Sequence, residues 1–160
     1  HAPSQWNPPG RFQAAYSHPH KPTMINLLII AHSPLGAAYA ELLRHIFPEN
    51  TLPPVHVLDI APHEGHAAII ARAQAELDTH RAEGGTLILS DLFGATPCNA
   101  AAKLLHTGNT ALISGLNAPM LLKAATHARH AASPAALAET VKQAGIRGIH
   151  ILAEPDFQAA

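Results

Sequence analysis

Short aliphatic, β-branched runs alternate along this chain with longer stretches in helical rhythm. The runs are Ile25–Ala31 (INLLIIA), Val55–Ile60 (VHVLDI), Thr86–Ser90 (TLILS), Thr110–Ser114 (TALIS) and Gly148–Ala153 (GIHILA). Strands joined by helical crossovers pair in parallel, with right-handed connections. The first run is apolar without interruption, as expected of a strand covered on both faces. The pattern therefore predicts an α/β fold: an open, doubly wound sheet with helices on both faces. The common strand order 2-1-3-4 would reverse between the first and third strands, and ligands gather at such a reversal beyond the carboxyl ends of the strands.

Helix signals sit between the runs. Ser33-Pro34 reads as an N-cap and first-turn proline for a helix to about Phe47. A second helix is expected over roughly 63–83, with Ile69, Ile70, Ala73 and Leu77 on one face and Gly84-Gly85 as its stop. Thr96-Pro97 opens a third, to about His106, and two more are expected near 118–129 and 134–144. Residues 1–23 contain Pro3, Pro8, Pro9, Pro19 and Pro22 and no periodicity. They read as a disordered tail, added or upstream, before a single domain over 24–155, with 156–160 as a C-terminal tail.

Composition narrows the function. The 160 residues carry a formal charge of −1, and only 13% are Asp, Glu, Lys or Arg. This gives no basic field for nucleic acid and no polybasic membrane patch. The one cysteine excludes an internal disulfide and fits a reducing cytoplasm. No apolar run approaches the ~20 residues of a membrane span. Neither GxxxxGK[ST] nor GxGxxG occurs, so nucleotide binding has no support.

Each of the two loops at the expected reversal offers one titratable residue at its start: His32 after the first strand and Asp91 after the third. Neighbouring strands lie roughly 5 Å apart, so the two side chains can meet. A carboxylate that accepts the Nδ1–H of an imidazole fixes its tautomer and leaves the Nε2 lone pair free. It also stabilises the positive charge that develops when Nε2 attacks an electrophile. No serine takes the nucleophile's part, so the histidine itself becomes the candidate. Thr96 and Ser33 stand at the starts of two helices whose unpaired N–H groups suit an anion. A nucleophilic histidine beside a phosphate cradle points to phosphoryl transfer.

The blocks LLIIAHSPLG, LILSDLFGATPCNAA and ALISGLNAPML, in that order, resemble the enzyme IIA component of the mannose-type (mannose–fructose–sorbose) phosphotransferase system. The resemblance runs from about Met24 to Pro155. It implies that His32 accepts phosphate on Nε2 from the phosphocarrier HPr and passes it to an enzyme IIB, needing no cofactor or metal. It also implies that Asp91 orients the imidazole and that Thr96, where the family has Ser or Thr, lies near the phosphate. The fold implied is a four-stranded parallel core, with a fifth strand, Gly148–Ala153, exchanged antiparallel in a homodimer. Contact with a membrane would come only through a permease complex. Ser33 stands where the family frequently has glycine, and Leu92-Phe93 where some relatives are more polar. A regulatory phosphoprotein, a phosphate donor to a dihydroxyacetone kinase, and a module that only binds an anion remain as alternatives.

The other chemistry-bearing residues have plainer readings. Cys98, early in a helix, is expected to pack. His63-x-x-His66 has zinc-compatible spacing but no third ligand, so a solvated helix face is expected. The remaining histidines, His56 and His80 among them, lack a carboxylate at a matched strand end. Asn99 and Asn117 are either caps or loop-ordering residues.

Overall fold

The structure, a computed structural model, describes residues 23–154. Apart from Thr23, the two expected tails lie outside them. Four strands form one parallel sheet in the order β2-β1-β3-β4: β1 Asn26–His32, β2 Val55–Ile60, β3 Thr86–Ser90 and β4 Thr110–Ile113. Five helices connect or follow them: α1 Leu35–Ile46, α2 His66–Thr79, α3 Thr96–Ala102, α4 Ala118–His127 and α5 Pro134–Arg147. The alternation of the first strand divides the core. Leu27, Ile29 and Ala31 face α1, α4 and α5, where Leu43, Leu121 and Val141 close over them. Leu28 and Ile30 face α2 and α3, packing with Ile69, Leu77 and Ala101. The uninterrupted apolar run of β1 is thus consumed from both sides, as a central parallel strand requires.

Several boundaries differ from the sequence reading, each for a local reason. His63 adopts a left-handed φ of 65°, so the chain enters α2 only after Gly65, its N-cap, and His63 lies off the helix. The third helix ends at Ala102, because Lys103 and Leu104 donate to Ala100 and Ala101 in three-residue turns. The first helix takes Pro34, not Ser33, as its N-cap, and no side chain of its own caps it. Asp59, next to last in β2, supplies what is missing: its Oδ1 accepts from Gly36 N at 2.8 Å and its Oδ2 from Ala37 N at 3.0 Å. Gly36 makes room for this, since a Cβ there would stand 2.6 Å from Asp59 Oδ1 and 2.7 Å from Val57 Cγ1.

The remaining helix starts follow the sequence. Asn117 Oδ1 accepts from Met120 N at 3.0 Å, and Ser133 Oγ accepts from Ala136 N at 3.1 Å; each precedes a helix-starting proline. Residues 148–153 form no strand within this chain; they extend past α5 with Ile149 at 70%, Ile151 at 90% and Leu152 at 67% exposure. Among the described residues, no helix is long and apolar enough to cross a membrane.

Candidate functional site

The strand reversal expected between the first and third strands is where β1 and β3 lie side by side, Ile30 level with Ser90. Just beyond this level come Asp91, one residue past Ser90, and His32, two residues past Ile30. His32 is the last residue of β1, so its backbone is held by the sheet while half of its side chain, 52%, stays open to solvent. Asp91 lies deeper, with a side chain only 11% exposed. Its Oδ2 lies 2.7 Å from His32 Nδ1 and accepts the His32 backbone N–H at 3.0 Å; its Oδ1 accepts from Leu92 N at 2.9 Å. The carboxylate is therefore fixed by backbone before it touches the ring. Burial alone would raise its pKa, but the hydrogen bonds from the His32 ring and amide, the His32 charge and the Leu92 amide together hold it below the usual carboxylate value.

An ionised carboxylate at Nδ1 favours a proton there, so in the neutral ring Nε2 is the nitrogen with the free lone pair. A nucleophilic nitrogen with a buried anion behind it becomes more stable as it takes on positive charge. That is what attack on a phosphorus or carbonyl centre demands.

The two helix starts near the pair are not equivalent. In α1 the Asp59 carboxylate already occupies the amides of Gly36 and Ala37. Ser33, exposed, is tied only through its own N–H to Ile60 O at 2.9 Å. The loop from Leu92 to Thr96 differs: the N–H groups of Phe93, Gly94 and Thr96 have no acceptor among the described residues. Asn99 Nδ2 donates to Gly94 O at 2.9 Å and pins this loop to α3, so Asn99 orders the loop, whereas Asn117 is a cap. Thr96 is the first residue of α3 and exposed, with Ala95 as the N-cap. Next to Asp91, Leu92 and Phe93 stand out at 60% and 83% exposure. Cys98 is buried, in keeping with a packing role.

Sequence reasoning missed two residues near this site and a cluster of three away from it. Asp59 looks like an ordinary polar position in a strand; only the register placing it beside Ala31 puts it at the start of α1. Tyr39 reads as part of an amphipathic helix face. Its hydroxyl donates to Leu116 O at 3.1 Å, and burial, then the charge of Asp91, push its pKa above the usual phenol value. Away from the site, His56 on β2 meets Glu76 on α2 and His80, the helix's C-cap, the two imidazoles stacked with centroids 3.5 Å apart and planes 15° apart. Burial, then the His80 charge, lower the pKa of His56 against an opposing pull from Glu76.

Residues 26–142 match the family described as EIIA-man, the fructose IIA component of the phosphotransferase system (PTS). The sorbose-specific EIIA component of a PTS from Lacticaseibacillus casei is 29% identical over 107 residues, covering 66% of this chain and 75% of that protein. Among solved structures, the mannose/sorbose-specific IIA subunit from Enterococcus faecalis superposes with a TM-score of 0.72 at 24% identity, over 82% of this chain and 97% of that one. A PTS EIIA component from Streptococcus agalactiae gives 0.71 at 23% identity, over 86% and 100%. Both have the fold described above.

Proposed function

The chain belongs to the EIIA-man family of PTS components, and we propose that it works there as a histidine phosphocarrier, taking phosphate from phospho-HPr onto His32 and passing it to an enzyme IIB. Membership makes it a phosphotransferase-type component of sugar transport. The step assigned to His32 rests above all on its Nδ1, 2.7 Å from a largely buried Asp91 side chain, with half of the His32 side chain open to solvent. His32 Nε2 attacks the phosphorus of the donor phosphohistidine, and the donor nitrogen leaves with its bonding pair. Asp91 balances the charge on the newly substituted ring. Transfer onward repeats the displacement with the acceptor side chain as nucleophile. In-line phosphoryl transfer of this kind rests on positioning and charge stabilisation, and His32 and Asp91 supply both. The open N–H groups of the Phe93–Thr96 loop, with the Thr96 hydroxyl and Ser33, suit the phosphate oxygens. No nucleotide or metal enters the step.

The same reading includes a homodimer formed by antiparallel exchange of Gly148–Ala153. Two features support it: the exposed apolar side chains of that segment, and β4, an edge strand paired only to β3 among the described residues. An open sheet edge and an exposed apolar segment together make a template for strand addition.

Incubation with phosphoenolpyruvate, enzyme I and HPr tests the central step. The wild type is expected to take up acid-labile, base-stable phosphate, and His32→Ala none. Equal labelling of the two proteins, or a wild type left unlabelled, would end the assignment.

A further inference from the structure

Far from His32, three metal-ligating side chains meet between an edge strand and a helix. His56 is level with Leu28, near the start of β2, whereas His32 is level with Ile60 at its end. Four residues of parallel strand separate the two levels, about 13 Å at the usual rise. Glu76 and His80 are one turn apart in the last stretch of α2 and its C-cap, on the face that covers His56. One donor atom from each of the three lies within 4.8 Å of the other two, and all three residues are half-buried. His80 Nε2 and Glu76 Oε2 are 3.4 Å apart. Ligand atoms of a tetrahedral zinc site, each 2.0–2.1 Å from the ion, stand about 3.3 Å from one another, so this pair already has the required spacing.

From this geometry we propose that His56, Glu76 and His80 form a binding site for a divalent transition-metal ion of the zinc class, with water completing the shell. Two imidazoles and one carboxylate are a donor set that such ions accept readily, and calcium and magnesium do not. The ion must lie in the plane of each ring it binds. Since the rings are now stacked nearly parallel, binding must turn at least one of them out of the stack. The bound ion ties the edge strand β2 to the C-terminal end of α2, at the end of the sheet away from His32. It therefore acts on stability and leaves phosphoryl transfer as it is.

The experiment is a Zn2+ titration of the full chain against a chromophoric chelator, for wild type, Glu76→Gln and His80→Gln. Thermal unfolding with and without the ion accompanies it. The wild type is expected to bind one ion more tightly than its other histidines do, with Tm rising by on the order of 5–10 °C at a hundredfold excess over Kd. Each variant should lose tenfold or more in affinity, since even outer partners of metal ligands are worth about 10–100-fold. Unfolding in chelator shows that the variants are folded. If a variant is not, the imidazole NMR signals of the wild type decide: those of His56 and His80 must shift with the first equivalent, ahead of the others. Equal affinity in all three proteins, or first shifts at other histidines, would overturn the site and show adventitious surface binding only.

Discussion

Asp91 holds one oxygen between two donors of the same residue, the amide and the ring of His32, and the other oxygen against Leu92 N. That division explains why an isosteric amide is the informative change. Asp91→Asn keeps an acceptor for the ring but loses the charge, and a hydrogen bond to a charged partner is worth about 1.5–3 kcal/mol. Phosphate uptake from phospho-HPr should slow roughly 10–100-fold at about 1.4 kcal/mol per decade, with the fold intact. An unchanged rapid-quench rate would remove Asp91 from the chemistry. The same contacts set an acid response. A carboxyl whose folded pKa is depressed adds stability above its unfolded pKa, about 3.9, and loses it as pH falls through the folded value. The unfolding free energies of wild type and Asp91→Asn should therefore differ by a constant amount above about pH 5 and converge below pH 4. A gap that widens in acid would contradict the depressed pKa.

The start of α1 shows how one element depends on another. A helix whose N-cap is proline has no side chain of its own to receive its first amides, so the Asp59 carboxylate, delivered by the neighbouring strand, does so instead. Asp59→Ala is expected to cost about 1–2 kcal/mol, lowering Tm by roughly 2–8 °C for a domain of this size. Gly36→Ala forces a methyl group against the same carboxylate and should cost about 1–3 kcal/mol. The two changes strike one contact, so the double variant should lose less than the sum of the singles. Strict additivity in thermal unfolding would show that the glycine and the cap are independent. Asp59 could not be read from the sequence, because its partner amides lie 22 and 23 residues away and only the β1–β2 pairing brings them close.

For the whole molecule, the proposed homodimer turns on the apolar segment Gly148–Ala153. Ile149, Ile151 and Leu152 would leave a hydrophobic strip in water if nothing covered them. Light scattering at micromolar concentration should give twice the chain mass for the full protein and the chain mass for a version ending at Gly148. A full-length monomer would rule out strand exchange.

The four core strands and their order could be read from the sequence because parallel strands buried on both faces need long apolar runs, which few other structures tolerate. The pair His32 and Asp91 was readable for the same reason: the topology fixes which strand ends are neighbours. Helix limits were less legible, since His63 and Lys103 turn the chain through local backbone geometry that composition does not encode. The spacing of the apolar runs was thus enough to lay out the sheet, its reversal point and the two residues that meet there. Which carboxylate caps α1, which histidines stack between β2 and α2, and which loop amides stay open emerged only with packing. Those contacts join residues far apart in the chain, and their energy exists only once the packed layers have brought them within a few ångströms.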